Sequence, residues 1–297
     1  MFSIIIPSFN NRKYLELCIK SIRKNSKYNH QVIVHINEGS DGTIEFLKKE
    51  NIDFTYTKYN AGICEGMNMA AKEAKFDYIL YAHDDFYFCP DWDEVMFNEK
   101  EKIKHNNFYI SGTMIGTTGK SSLDCGDNID NFDENKLLNN YKNLNFDDYQ
   151  GSTWAPHLIH KQLWNKIGGF SEEFFPGTGS DPDLNMKLWN ENVRIFKRLG
   201  KSLVFHFGSI VTRRDNKDQN TITESGNKGN KIFLLKWGIS IKFFRKYYLR
   251  SETVYNGELV NPKKNLFFLI GYIKCKLNYL YIKYIYNFNN KIRLKSK

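Results

Sequence analysis

The sequence lacks the features that mark secreted and membrane-spanning chains. Its five cysteines are an odd number, are widely spaced and include no C-x-x-C pair, so they predict reduced thiols rather than a disulfide framework. The apolar run at the amino terminus has no basic flank and ends at Pro7, too early for a secretory signal. Residues 266–288 approach the length of a membrane span, but Lys274, Lys276 and Lys283 interrupt them, each at a cost of about 2.5–3.5 kcal/mol at a helix centre. We therefore predict a cytoplasmic protein without a transmembrane helix.

Most of the chain also lacks a basic surface of the kind that binds nucleic acids. The formal net charge is +10. Residues 231–297 hold 15 Lys and Arg against two Glu, which gives this segment +13 and leaves residues 1–230 at −3. A slightly acidic segment does not offer the basic surface that binds a phosphate backbone, so no nucleic-acid partner is expected. We predict a main domain over residues 1–230 and a basic, aromatic-rich helical extension over residues 231–297.

Strands and helices alternate along the first part of the chain, which predicts an α/β fold with a mostly parallel sheet and helices on both of its faces. Ligands of such sheets bind beyond the carboxyl ends of the strands. Apolar runs predict strands over 2–6, 32–36, 54–57 and 78–82, and helical spacing of apolar residues predicts helices over 12–25, 43–50 and 63–74.

Two polar stretches interrupt this pattern. Residues 124–150 are rich in Asn and Asp with weak periodicity, which predicts a long loop or an insertion near the site that could act as a lid. Residues 213–230 are also polar, and we interpret them as a mobile loop before the basic extension.

Polar residues collect after each of the four predicted strands and should meet at one edge of the sheet. A nucleotide needs a flat apolar edge for its base and an acceptor for the ring N–H, which residues 7–9 and Glu38 could supply. Ser40 and Thr43 are equally suited to cap the following helix, and Pro7 could simply end the first strand. The four segments are Pro7-Ser8-Phe9-Asn10, residues 37–43, Asn60-Ala61-Gly62 and His83-Asp84-Asp85.

The pair Asp84-Asp85 directly follows the apolar run over 78–82. An unpaired charge at the buried end of a strand is expensive, and a divalent cation would relieve it. The alternative is a β-turn with solvated carboxylates. We favour a metal site.

In order and spacing, these segments resemble glycosyltransferase family 2. Members open with a strand ending I-P-x-[YF]-N, and a D-G-S-x-D-G-T-like turn follows the second strand; here that turn reads N-E-G-S-D-G-T, with Glu38 where Asp is usual. The resemblance implies a GT-A fold with a Rossmann-like nucleotide-binding half and a nucleotide-sugar donor, UDP by default. It assigns the nucleotide to Pro7, Ser8, Phe9, Asn10, Glu38, Ser40, Asn60 and Gly62.

The resemblance also bears on the two aspartates. His83-Asp84-Asp85 occupies the family's D-x-D position, with His in the first place. This implies that Asp85 binds Mg²⁺ or Mn²⁺ bridging the donor diphosphate, while His83 or Asp84 touches the ribose or a water outside the metal's own ligands. A His often completes the family's metal site after one further strand, which points to His206. A satisfied core histidine is the alternative at that position.

A third constellation, Gly168-Gly169-Phe170 followed by residues 180–184, resembles the family's G-G-F and E-D-x-D-L segments, with Ser180 in place of Glu. The resemblance implies that Asp181 is the general base, which deprotonates the acceptor hydroxyl, and that the reaction inverts the anomeric centre. The alternative is that Asp181 caps a helix whose first residue is Pro182.

In the extension, an aromatic stripe over 233–248 with Lys242, Lys246 and Arg250 across from it predicts a basic amphipathic helix. Such a helix suits an anionic membrane surface, or its stripe could pack on the main domain.

We predict a metal-dependent, inverting, hexosyltransferase-like enzyme that acts on a glycan or lipid-linked hydroxyl acceptor in surface glycan or polysaccharide synthesis, placed at the inner face of the membrane. The alternatives are a sugar-1-phosphate nucleotidyltransferase, which should have a Gly-rich basic loop after the first strand, and a non-catalytic membrane-surface scaffold.

Overall fold

A nine-stranded sheet lies at the centre of the computed structural model, which describes residues 1–117, 122–208 and 219–286 and omits the side chains of 219–225, 285 and 286. The strand order is β3-β2-β1-β4-β8-β6-β9-β5, and β7 pairs with β9. The strands are β1 Ser3–Phe9, β2 Gln31–Asn37, β3 Asp53–Thr57, β4 Tyr78–Tyr81, β5 Phe86–Phe88, β6 Phe108–Ile115, β7 Tyr149–Gln150, β8 His157–His160 and β9 Ile195–His206.

The helices fall between and after these strands. The described α-helices are α1 Arg12–Asn25, α2 Thr43–Lys49, α3 Gly62–Ala71, α4 Trp92–Lys102, α5 Glu134–Asn140, α6 Lys161–Ile167, α7 Ser180–Asn190, α8 Gln219–Trp237, α9 Ile241–Tyr247 and α10 Leu266–Leu280. A π-helical turn over Tyr281–Tyr286 follows α10.

The sheet is mixed but mostly parallel. Strands β3, β2, β1 and β4 are parallel neighbours, and β6 and β9 run in the same direction, while β5, β7 and β8 run antiparallel to their partners. Consecutive residues Ile4, Ile5 and Ile6 of β1 are all fully buried. Because consecutive strand residues face opposite sides of a sheet, both sides are covered there, as expected of parallel strands. The predicted α/β class is confirmed.

Residues 124–150 are more ordered than the weak periodicity predicts. They contain α5, and Cys125, Leu137 and Tyr141 pack with Tyr87 and Phe205 in a second, smaller hydrophobic cluster. Isolated apolar residues in a polar stretch give no periodic signal, although a few of them can anchor a segment on an existing sheet. Of the two interpretations, a plain long loop was therefore wrong where α5 forms, and an insertion with its own helix fits the segment.

The extension packs on the main core. Phe233 and Phe244 are fully buried in the same hydrophobic cluster as the isoleucines of β1. The aromatic stripe therefore packs on the main domain, which was the alternative to membrane binding. The predicted continuous helix is interrupted between Trp237 and Ile241, where the Ser240 Oγ accepts from the Phe243 N–H at 3.1 Å and starts α9.

Two further expectations concern this region. The mobile loop predicted over 213–230 was wrong from residue 219 onward, because α8 begins there; residues 213–218 lie outside the described part of the chain. The predicted division at residue 230 falls within α8. None of the helices that the structure describes combines the length and apolarity needed to cross a membrane.

Candidate functional site

The loops that follow β1 and β2 are joined by side-chain hydrogen bonds. The Asn10 Nδ2 donates to the Glu38 Oε2 at 3.3 Å, and the Ser40 backbone N–H donates to the Asn10 Oδ1 at 2.9 Å. Asn10 and Glu38 both have positive φ angles, a conformation that non-glycine residues adopt infrequently. The loops thus hold an exposed carboxylate over the end of β1, where Pro7 and Phe9 are half-buried. Because β1 continues to Phe9, Pro7 does not end the strand.

A buried asparagine that the sequence interpretation passed over links the third loop to the first two. The Asn37 Nδ2 donates to the Ser8 carbonyl at 3.3 Å, and its Oδ1 accepts from the Ala61 N–H at 2.8 Å. The Asn60 Oδ1 accepts from the Gly62 N–H at 2.9 Å and shapes the start of α3. A polar residue at the end of the apolar run QVIVHIN is the signal that could have identified Asn37.

The fourth loop is tied to the first by a serine. The Ser8 Oγ donates to the Asp84 Oδ2 at 2.7 Å, and both side chains are buried. This bond satisfies one carboxylate oxygen of Asp84. The structure therefore brings the predicted nucleotide-site residues of all four loops to one edge of the sheet.

Asp41, rather than Ser40 or Thr43, caps the helices beside these loops. Its Oδ2 accepts from the Arg12 N–H at 2.8 Å, and its Oδ1 accepts from the Thr43 N–H at 3.2 Å and from the Thr43 hydroxyl at 2.6 Å. One carboxylate thus serves the first turns of α1 and α2, where acidic groups are favoured. The capping alternative for Ser40 and Thr43 was wrong, and the side chain of Ser40 is exposed.

Asp85, His83 and His206 form a group whose ligand atoms all lie within 4.8 Å of one another. The Asp85 Oδ2 is 3.3 Å from the His206 Nε2, and its Oδ1 is 4.0 Å from the His83 Nδ1. One carboxylate and two imidazoles can bind a transition metal, and small rotations would bring the three ligand atoms to about 2.0–2.2 Å from a single ion.

The pairing of β5 with β9 explains how residues far apart in sequence meet here. Phe86 is the register partner of His206, and the Phe207 N–H donates to the Asp85 carbonyl at 3.2 Å. The Phe86 ring supports both histidines: it stacks on His83 at 4.8 Å and meets the His206 ring edge-on at 5.1 Å. The sequence alone contains no local signal for this pairing.

The electrostatics of the group suit metal ligation. Burial lowers the pKa of His83 to about 4, against the attraction of Asp85, which acts to raise it. The His83 imidazole is therefore neutral at neutral pH, the state in which a histidine can bind a metal. Asp84 is not part of this group of three.

Asp181 lies near the same end of the sheet. Its Oδ1 is buried without a hydrogen-bond partner among the described residues, and burial raises the pKa of this carboxyl to about 7. The pKa of Tyr81, the last residue of β4, is also raised, first by burial and then by the negative charge of Asp181. A buried, unsatisfied carboxyl with a pKa near neutrality has the properties of a general base.

The start of α7 excludes the capping alternative for Asp181. The helix begins at Ser180, and Gly179 holds the N-cap position without a side-chain cap. Pro182 is thus the third helical residue, not the first. The Ser180 hydroxyl donates to the Gly177 carbonyl at 2.6 Å, so the residue in the family's usual Glu position steadies the preceding turn.

Asp183 has a different role from Asp181. It is fully buried, and its oxygens accept from the Ser171 hydroxyl at 2.6 Å and from the Trp237 indole N–H at 2.8 Å. The Lys236 Nζ lies 3.0 Å from the Asp183 Oδ1 and 2.8 Å from the Glu173 carboxylate. The sequence interpretation missed Lys236 and Trp237, whose contacts depend on how α8 docks.

A glycine joins this segment to the third loop. Gly62 has a φ of +76°, and a Cβ there would lie 2.8 Å from the Phe175 ring. The next amide, Ile63 N–H, donates to the Pro176 carbonyl at 3.0 Å. The start of α3 is thus in contact with the turn that leads to Asp181.

Trp154, His157 and His160, which precede Gly168-Gly169 in sequence, lie in three different environments. His157 is fully buried, with its Nδ1 2.8 Å from the Tyr109 hydroxyl, and burial lowers its pKa to about 3. The His160 Nδ1 accepts from the Gln162 N–H and caps α6. Trp154, in contrast, is half exposed, just before the strand that begins opposite Tyr81.

Comparison with known proteins bears on the fold and the family. E. coli chondroitin synthase is 25% identical over 210 residues, which are 68% of this chain and 28% of that protein. S. aureus TarS 1–349 in complex with UDP has a TM-score of 0.53 at 15% identity and covers 82% of this chain and 73% of its own. GalNAc-T7 with UDP, GalNAc and Mn²⁺ gives 0.54 at 14% identity, over 69% and 43%. These likenesses confirm the GT-A fold.

The matched segments cover between 24% and 37% of the length of the curated relatives. The family model "Glycosyl transferase family 2" matches residues 3–156, just over half of the chain. That range contains β1 to β4, the four polar loops and the Asp84-Asp85 pair. The chain belongs to glycosyltransferase family 2.

Proposed function

We propose that this protein is a metal-dependent, inverting glycosyltransferase that moves a hexosyl group from a UDP-sugar to the hydroxyl of a glycan or lipid-linked acceptor, in surface glycan or polysaccharide synthesis. One observation carries the proposal: the His83–Asp85–His206 group and the unsatisfied carboxyl of Asp181 lie near the same end of the sheet. A metal-ligand set and a base are the two elements that glycosyl transfer from a nucleotide diphosphate requires.

The donor is assigned to the four joined loops. Pro7 and Phe9 offer an apolar edge for the base, and Glu38, held by Asn10, offers an acceptor for a ring N–H. Ser8, Ser40, Asn60 and Gly62 shape the loops around the ribose and phosphates, with Asp84 buried beside Ser8. Solved structures of TarS contain UDP or UDP-GlcNAc, and that of GalNAc-T7 contains UDP, which supports UDP as the carrier.

Asp85, His83 and His206 would hold the metal ion. The ion would neutralise charge on the departing diphosphate. Two imidazoles beside one carboxylate favour Mn²⁺ over Mg²⁺, which prefers oxygen ligands. The presence of Mn²⁺ with GalNAc-T7 supports this choice.

Asp181 is proposed to take the proton of the acceptor hydroxyl. The hydroxyl oxygen forms a bond to the anomeric carbon from the side opposite the nucleotide, the bond to the diphosphate breaks, and the configuration inverts. A base with a pKa near 7 is matched to this task at neutral pH. The half-exposed Trp154 lies three residues before β8, which begins opposite Tyr81, and we assign its ring to the acceptor sugar.

The protein is further proposed to act at the inner face of the membrane. Residues 231–297 carry +13 while residues 1–230 carry −3. Each Lys or Arg close to an anionic leaflet contributes about 1 kcal/mol of attraction. A lipid-linked acceptor would be concentrated at the same surface.

A transfer assay tests the proposal. The chain is incubated with a panel of UDP-sugars and candidate acceptors with Mn²⁺, with Mg²⁺ or with a chelator, and the product's anomeric configuration is determined by NMR. Metal-dependent release of UDP with an inverted linkage is expected. Release of pyrophosphate from UTP and a sugar 1-phosphate would indicate the nucleotidyltransferase instead. Donor binding without turnover on any acceptor would favour the scaffold.

A further inference from the structure

One helix of the extension presents a long apolar surface. The residues on the outer face of α10 follow one another at steps of one to four along the helix, so they lie on one side. Phe267 is 74% exposed and Leu277 is 61% exposed. The outer face of α10 comprises Leu266, Phe267, Ile270, Ile273, Leu277 and Leu280.

The opposite side of α10 is held by the rest of the extension. The Phe268 ring packs on Phe243 at 5.0 Å, and the Cys275 sulfur accepts from the Ser240 N–H at 3.4 Å. The Tyr247 hydroxyl donates to the Phe267 carbonyl at 3.0 Å. The outer face therefore has a fixed direction relative to α9 and is not covered by any described residue.

The charges around the outer face have a single sign. Lys263, Lys264, Lys274 and Lys283 are exposed at or beside it, and the sequence has no Asp or Glu after Glu258. A second copy of the chain docked face to face would bring these lysines together at a cost. Anionic headgroups would instead pair with them, while the flexible lysine stems allow the apolar side chains to sink deeper.

We propose that the outer face of α10 is the element that inserts into an anionic membrane surface, with α10 lying in the plane of the interface. Helices of this type bury their apolar face about 5–10 Å into the headgroup and acyl boundary. Tyr281 and Tyr284 extend the same exposed surface, and tyrosine is enriched at membrane interfaces. The proposal assigns the membrane association proposed above to a surface, and that surface is not the basic side of α9 that the sequence suggested.

Sedimentation of the full chain with vesicles tests the assignment. Vesicles contain phosphatidylcholine with or without phosphatidylglycerol, and the test variant is Ile273→Ser with Leu277→Ser. Because each side chain would leave an apolar environment, we expect the partition coefficient for anionic vesicles to fall at least about tenfold. The control is Val254→Ser with Val260→Ser, two comparably exposed positions outside α10, which should bind as the parent does.

A fluorescent probe reports insertion directly. The five native cysteines are free and buried, so an environment-sensitive label can be directed to Leu277→Cys, with Val260→Cys as the control position. A blue shift on anionic vesicles at 277 and none at 260 is expected. Variants must keep the parent's unfolding midpoint and its UDP binding, which separates a failure of this assignment from a failure of the proposed catalytic site.

Three results would overturn the assignment. The first is unchanged vesicle binding by the α10 double variant. The second is a loss of binding only when Lys242, Lys246 and Arg250 are reversed in charge, which would return the role to α9. The third is a parent that is a dimer by light scattering and becomes monomeric in the double variant, which would make a second copy the occupant.

Discussion

The Lys236 Nζ lies 3.0 Å from the Oδ1 of Asp183, a fully buried carboxylate two residues after the proposed base. The Trp237 indole donates to the same oxygen at 2.8 Å. The extension thus supplies two partners to the first turn of α7. Two residues that lie beyond the segment matched by the family model thus hold α7, the helix that carries Asp181, in place.

We expect Lys236→Met to lower the free energy of unfolding by about 3 kcal/mol, because it leaves Asp183 as a buried charge without its cation. Urea unfolding at neutral pH measures the change. Lys242→Met is the control: Lys242 is an exposed lysine on the next helix, and its replacement should change the stability by no more than about 0.5 kcal/mol. Equal stability of the two variants would mean that the ion pair contributes little to the docking of α8.

Asp181→Asn should reduce kcat by about 10²–10⁴-fold with little change in UDP-sugar binding, the usual effect of removing a positioned base. In the parent, kcat/KM should rise with pH up to about 7 and then level off, because the base must be deprotonated. Steady-state kinetics from pH 5 to 9 check both statements. A near-normal rate for Asp181→Asn would remove Asp181 from the mechanism.

The same substitution should affect stability in a pH-dependent way. Burial raises the pKa of Asp181 in the folded chain to about 7, above its unfolded value of about 3.9, so the parent loses stability as the pH rises from about 4 to about 7. The Asn variant has no such charge to bury. Its unfolding midpoint should exceed the parent's at pH 8, and the difference should shrink as the pH falls below 7 and vanish only near pH 4.

Asp85→Asn should abolish Mn²⁺-dependent binding of UDP, because this carboxylate lies between the two histidines of the group. A thermal-shift titration measures it: in the parent, ligand at 100 times its Kd stabilises by about 2.7 kcal/mol. Asp91→Asn, an exposed acid of the same chain segment, is the matched control and should bind as the parent does. If Asp85→Asn kept the parent's Mn²⁺ dependence, the metal assignment would be wrong.

Gly62→Ala should destabilise the fold more than Gly168→Ala. Both glycines have positive φ angles, +76° and +71°, so both substitutions meet backbone strain of about 1 kcal/mol or more. A Cβ at Gly62 also meets the Phe175 ring at 2.8 Å, whereas nothing lies within 4 Å of one at Gly168. Chemical unfolding of the two variants measures the contribution of the contact between α3 and the turn before α7. Equal losses of unfolding free energy would show that the Phe175 ring moves aside without a measurable cost in stability.

The sequence predicts the parallel half of the sheet well, because strands such as β1 and helices such as α1 show their periodicity within a single window. The candidate residues after these strands follow from the same regularity, since parallel strands end at one edge. The α/β class was accordingly predictable, while the GT-A fold and the family followed from the resemblance of the motif segments to glycosyltransferase family 2.

Contacts between distant segments were not predictable in this way. His206 lies opposite Phe86 because β5 pairs with β9, although the two residues are 120 positions apart in sequence. Lys236 reaches Asp183 only because α8 packs against α7. Likewise, Asn10 and Asp41 act through hydrogen bonds between loops. These are tertiary interactions, which no local period or cap preference encodes.

The place of β9 in the sheet has a consequence for how the protein is made. It is the last of the described strands in sequence, yet it lies between β6 and β5, so those two strands keep open edges until residues 195–206 have left the ribosome. Open edges of this kind are prone to aggregate. The pairing that brings His206 to Asp85 closes such an edge, so a nascent chain cannot assemble the proposed ligand set before β9 has been inserted. Capture of the proposed metal ion would therefore follow the insertion of β9, late in biosynthesis.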